Sequence, residues 1–269
     1  AHHQHDPAVR KPLLVYLDGS GAQSQFTRHD QAVGYGMFGL VGSIAAGGYH
    51  VVGIEKRGAV FGEAATPGSA QAASREYQEH ATFDDRVGDA CLLLATLLEE
   101  PTVDPTRVLL MGHSEGAGVA AGVAAREPRV THVAFLSGTG PSQFFDLIVL
   151  RRKAMQKAGV PAEEIESSVG QLESDFRAIL ANPTSTDKLF MGHAYRRWAS
   201  FGKRSAIDDM LASKCKLYLA HGSEDTNVSV ESFDLTTVEL LRAGRAGVTV
   251  RRFPGRDHSL RDPASTANS

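Results

Sequence analysis

Short apolar runs alternate with longer amphipathic stretches along most of the chain. Leu13 to Leu17 forms one such run and stops at the turn cluster Asp18-Gly19-Ser20-Gly21. A helical stretch around Gln31 to Ala46 is expected next. His50 to Glu55 then reads as a second buried strand, closed by Lys56-Arg57-Gly58. From Phe83 to Glu100, Val87, Cys91, Leu94 and Leu98 recur at helical spacing, which predicts a helix with one buried face. Pro101 and Pro105 break it. Arg107 to Met111 predicts a third strand, Gly112 to Arg126 a turn and a small-residue helix, and Val130 to Leu136 a fourth strand.

Such alternation predicts an α/β fold, a mostly parallel sheet of about six strands with helices on both faces. The alternation stops at Pro141. As far as about Ala212 no strand-like run occurs, while Ile165, Val169, Leu172, Phe176 and Ile179 keep helical spacing, so a helical cap is expected over residues 141–212. The strand pattern resumes at Lys216 to Ala220, with a helix from Val230 to Ala243 and a last strand from Val248 to Phe253. The resulting plan is a loose segment over 1–12, a core of 13–140 and 213–261, and a loose tail over 262–269.

Composition narrows the functional classes. The 269 residues carry a formal net charge of -3 with 42% hydrophobic positions, an ordinary balance for one soluble globular domain and not the basic face of a nucleic-acid binder. No apolar run approaches the roughly 20 residues a membrane helix requires. The two cysteines, Cys91 and Cys215, read as free thiols. His2-His3-Gln4-His5 reads as a frayed terminus and not a metal site. A start at Ala1 without methionine is what removal of a signal peptide would leave, so export is one expectation.

Gly112-His113-Ser114-Glu115-Gly116 is the chain's only G-x-S-x-G match, and its context makes it informative. It follows a strand directly and opens a small-residue helix, as a nucleophile elbow must. A serine hydroxyl needs a base to take its proton, and an acid to orient that base. Asp225 follows the strand Lys216 to Ala220, and His258 follows the next strand 33 residues later. Ser114 is therefore expected as nucleophile, His258 as general base and Asp225 as the orienting acid. Glu224 and Asp257 are weaker alternatives for the acid. His221 is expected to pack behind the site, and His113 to point away from the hydroxyl. The oxyanion donors should be the backbone N–H groups of Glu115 and of Ser20, with Gly21 next.

These residues resemble the α/β-hydrolase superfamily. The elbow, the loop ending at Asp225 and the loop ending at His258 carry that likeness. Val52-Gly53-Ile54-Glu55-Lys56-Arg57-Gly58 and the Ser-Glu-Gly elbow are similar to the dienelactone-hydrolase and prolyl-oligopeptidase-like branch. The resemblance implies the fold, the Ser-Asp-His order and a lid over residues 141–212. Asp18 stands where many relatives have histidine, and only a dozen residues precede Leu13. Trp198 and Phe201, with Arg151, Arg152, Arg196 and Arg197 of the cap, are candidate pocket residues. The alternative is a solvated face for the arginines and packing within the cap for Trp198. Arg57 is a further pocket candidate, with a bond to structural carbonyls its preferred role.

The expected activity is hydrolysis of a carboxylic ester through an acyl-serine, with no metal and no cofactor. A small ester or a short peptide is the expected partner, and oligomeric state stays open. A serine peptidase is the alternative, and a non-catalytic ligand-binding homologue the rival from a different class.

Overall fold

The computed structural model describes residues 9–29, 32–35, 38–62 and 73–262. The histidine cluster near the N-terminus and all but the first residue of the expected loose tail lie outside them. The elements run β1 (Lys11–Leu17), β2 (Phe26–His29), β3 (Ala32–Tyr35), α1 (Phe38–Ala46), β4 (His50–Gly53), α2 (Arg75–His80), α3 (Phe83–Leu97), β5 (Val103–His113), α4 (Glu115–Arg126) and β6 (His132–Leu136). They continue with α5 (Gln143–Lys157), α6 (Ala162–Ala181), β7 (Leu189–Phe190), β8 (His193–Ala194), α7 (Tyr195–Gly202), α8 (Ala206–Ala212), β9 (Lys216–Gly222), α9 (Val230–Arg242) and β10 (Val248–Phe253).

Six of these strands make one sheet in the order β10-β9-β6-β5-β1-β4, every pair parallel. Both faces bury side chains, which is why β1 reads as an unbroken apolar run. Its alternate residues go to opposite sides. Leu13, Val15 and Leu17 join the main core with residues of α3, α4, α8 and α9, while Leu14 and Tyr16 face a smaller cluster that includes Ile44 of α1. Strand order reverses at β1, whose neighbours are β4 and β5. The carboxyl ends of β1 and β5 are thus side by side at a switch point, the usual ligand edge of such a sheet.

Four expectations need correction. The helix expected over 31–46 is the hairpin β2–β3 followed by the shorter α1, and Gln31 itself lies outside the described residues. Thr27, Val33 and Gly34 favour that outcome, being poor helix formers. Strand β5 begins at Val103, four residues before the expected start, because the register with β1 jumps between Pro12 and Leu13. Pro105 sits in the skipped stretch, where no ladder donor is needed. Finally, the segment between β6 and β9 holds the two-residue strands β7 and β8 among its four helices. Leu172, Phe176 and Ile179 of α6 pack there with Trp198 and Ala199 of α7 in a separate small core. Lys11 and Pro12, expected in a loose N-terminal segment, belong to β1. Cys91 and Cys215 are free thiols.

Candidate active site

The elbow is set by close backbone packing. A Cβ on Gly112 would lie 2.2 Å from the carbonyl oxygen of Gly116, and one on Gly116 would lie 2.1 Å from that of Leu17. Only glycine fits at either place. Between them Ser114 adopts φ 57° and ψ -125°, a conformation that costs a non-glycine residue on the order of 1–3 kcal/mol. Its N–H donates to Leu136 O at 2.9 Å, pinning the turn to β6. The register Leu17 to Gly112 brings the Asp18 to Gly21 turn beside it, and a Cβ on Gly19 would meet Ser114 Cβ at 3.2 Å.

Asp225 and His258 meet at the same edge. Asp225 leaves the turn after β9, and its Oδ1 accepts the N–H groups of Asn227 at 2.8 Å and Val228 at 3.0 Å. His258 Nδ1 lies 2.8 Å from Asp225 Oδ2 and 3.0 Å from Oδ1. Burial opposes ionisation of Asp225, but the bond to His258 and the backbone donors overcome it and hold its pKa below the usual carboxylate value. Because a carboxylate only accepts, Nδ1 carries the proton and Nε2 is left as an acceptor. Neither rival acid reaches His258. Glu224 is exposed, and Asp257 accepts the N–H groups of Ser259 and Arg261.

His221 is buried behind Asp225, with Nε2 3.5 Å from Oδ2 and 3.2 Å from Val228 O. Burial pushes its pKa down. His113 is engaged with the loop that carries His258. It lines the same cavity as Ser114, and its Nε2 donates to the His258 carbonyl at 2.9 Å, with ring centroids 4.7 Å apart. An elbow histidine thus steadies the loop that carries the candidate base.

Ser114 and His258 share a cavity of about 370 Å³ with Tyr16, Asp18, Ser20 and Asn227. They are not hydrogen-bonded to one another; catalytic contacts of this kind commonly tighten only around substrate. On the other side of Ser114 a cavity of about 130 Å³ is lined by Ser20, Gln143, Leu147, Arg197 and Trp198. Phe201 borders a smaller void that also touches Ser114. Trp198 and Phe201 thus each line a void that Ser114 also lines. Arg57 does not: its half-exposed guanidinium binds Asp89 and lines none of these cavities. Gly21 has φ 101° and lies in the turn beside Ser20 without lining either of the two larger cavities. Arg151 and Arg152 tie α5 to α6 through Ser168 and Glu166.

Sequence reading missed a buried group of charges beneath the site. Lys56 Nζ donates to Asp18 Oδ2 and, at 3.0 Å, to Gly19 O. Arg86 donates to Asp18 O at 2.7 Å and to Glu115 Oε1 at 2.7 Å. Arg197 pairs with Glu115 Oε2, which also accepts from Gln143 Nε2 at 3.0 Å. All five charged side chains are nearly inaccessible. Burial alone would push Glu115 up, yet Arg197 and Arg86 bring its pKa down to about 2. Burial pulls Lys56 below the usual lysine value, with Asp18 working against it. One signal for this group was in the sequence. Arg86 stands at a core position of α3, between Phe83 and Ala90 at helical spacing, where a charge needs a buried partner.

Among the described residues no set of three or more His, Cys, Asp or Glu side chains is gathered to hold a metal ion, and no helix is long and apolar enough to cross a membrane.

The fold is that of the α/β-hydrolases. The chain is similar to Porphyromonas gingivalis dipeptidyl peptidase 4, with TM-score 0.59 and 14% identity over 96% of this chain and 29% of that one. It is similar to acetyl xylan esterase 1 from a Thermoanaerobacterium species, with TM-score 0.55 and 17% identity over 97% and 73%. Est1E from Butyrivibrio proteoclasticus, solved with ferulic acid, gives TM-score 0.58 and 12% identity over 96% and 85%. The chain spans about a third of the length of the peptidases that it matches. No protein-family model and no curated protein matches the sequence.

Proposed function

We propose that this chain is a serine hydrolase that cleaves a carboxylic ester through an acyl-serine intermediate. The observation that carries the reading is the Asp225 to His258 Nδ1 bond, which leaves Nε2 as an acceptor on a cavity that the strained Ser114 also lines. His258 takes the proton of Ser114 as the oxygen attacks the carbonyl, and Asp225 stabilises the imidazolium. The N–H groups of Glu115 and Ser20 receive the negative charge on the carbonyl oxygen. His258 then protonates the departing alcohol, and a water activated by the same nitrogen releases the acid. Helices α5 to α8 act in this reading as a cap, with Trp198 and Phe201 bounding the pocket.

Ester cleavage is preferred to aminopeptidase action because an amine-binding acid is hard to find. Glu115 is consumed by Arg86, Arg197 and Gln143. Asp146, which lines the smaller cavity and holds Ser229 through Oδ1, has its pKa raised by burial, which disfavours the anion that an amine would need. The peptidase reading keeps support from the peptidases among the structural neighbours. Comparing p-nitrophenyl esters with aminoacyl p-nitroanilides separates the two. Ser114→Ala should lower kcat/KM for p-nitrophenyl acetate by at least about a thousandfold. A fluorophosphonate probe should label Ser114. A folded protein that neither turns over esters nor labels there is a binding protein and not an enzyme.

A further inference from the structure

Two peptide links join Asp18 to Ser20, and buried cations claim both carbonyls. Arg86 Nη2 holds Asp18 O at 2.7 Å and Lys56 Nζ holds Gly19 O at 3.0 Å. In a trans link the N–H points opposite to the C=O, and the described residues contain no cis bond. Fixing the Gly19 carbonyl on Lys56 therefore turns the Ser20 N–H to the other side. There Ser20 and Ser114 line the same two cavities. The Ser20 N–H finds no acceptor among the described residues.

The turn needs such a constraint. Gly19 and Gly21 flank Ser20, and Gly21 is in the left-handed region at φ 101°. Glycine on both sides makes reorientation of the intervening peptides cheap. Lys56 is itself pinned: its side chain is 3% exposed, and Asp18 Oδ2 holds the same ammonium. One buried cation thus ties the turn's side chain and its backbone together.

We propose that Lys56 is a positioning residue for oxyanion stabilisation, aiming the Ser20 N–H by its grip on the Gly19 carbonyl. The inference rests on Ser114 being the nucleophile, as proposed above. A donor aimed before reaction needs no reorganisation when charge develops, which is where such a group acts on the rate. Substrate binding gains little from it, so its loss falls on kcat.

Lys56→Met keeps the apolar stem and removes the donor. Its kcat on p-nitrophenyl acetate should fall about 30- to 100-fold while KM changes less than about threefold. A trifluoromethyl ketone, which adds to serine as a tetrahedral oxyanion, should lose affinity by the same factor as kcat. Lys56→Arg, which keeps a donor, should recover kcat to within about fivefold of the parent. Lys56→Met leaves Asp18 short of a cation, so the double variant Lys56→Met/Asp18→Asn is measured beside it and has the same expected outcome. A folded variant of either kind that keeps kcat and ketone affinity within about threefold overturns the inference. So does a loss confined to KM. A parent protein that neither cleaves esters nor labels at Ser114 overturns the functional reading instead.

Discussion

On one side of Ser114, five buried charged side chains clamp the turn after β1 to the elbow. On the other side His258 rides on a half-exposed loop. Asp225, the His113 ring and backbone bonds of residues 255 and 256 to the β9 turn hold that loop. Under the proposed mechanism the contrast follows from two tasks. Backbone donors that receive charge must already point the right way, and a desolvated ionic clamp tolerates little displacement. A base must pass a proton between two partners, and a lightly held imidazole can make the small movement this requires.

Deletions on the two sides should therefore register differently. The largest effect is expected from Arg86→Met, which strands the Asp18 and Glu115 carboxylates without one shared partner. Chemical denaturation should show a loss of about 3–5 kcal/mol, with a melting temperature lower by about 10 °C. A loss under about 1 kcal/mol would mean that the clamp is not rigid.

An acid titration of stability should come next in size. Glu115 ordinarily titrates at 4.5 and is held at about 2 in the fold. Its folded pKa is depressed, so its contribution is complete above 4.5 and is lost as pH falls from 4.5 through about 2. That loss amounts to roughly 3 kcal/mol. Glu115→Gln should show a flatter profile over that window, and an unchanged slope would remove Glu115 as the source.

His113→Phe should have the smallest effect. It removes the donor to the His258 carbonyl while keeping an aromatic ring, at a cost of about 1 kcal/mol in stability and about tenfold in kcat. If its stability loss equals that of Arg86→Met, the two sides are not held differently.

What could be read from sequence divides along similar lines. The strands were legible because both faces of the sheet are buried, and the elbow because its serine and both glycines fall within five consecutive residues. Asp225 and His258 were placed by the strands that precede them. The hairpin β2–β3 was not legible, since eight residues of mixed character carry too little periodicity to outvote a helical expectation. Lys56 and Arg86 were hidden for a different reason. Their partners lie 38 and 29 residues away, and local pattern does not record which distant carboxylate meets which cation. The partner of His113 was hidden in the same way, since the His258 carbonyl belongs to a loop that arrives from the far end of the chain.

The bond between Arg197 and Glu115 has one more consequence. Helix α7 is moored through Arg197 to Glu115, the residue proposed above to supply an oxyanion amide, so raising it like a hatch would strip that buried carboxylate of one of its two cations. Neither Arg197 nor Glu115 lines the larger cavity beside Tyr16 and Asn227, so a molecule reaching Ser114 through it leaves that pair in place.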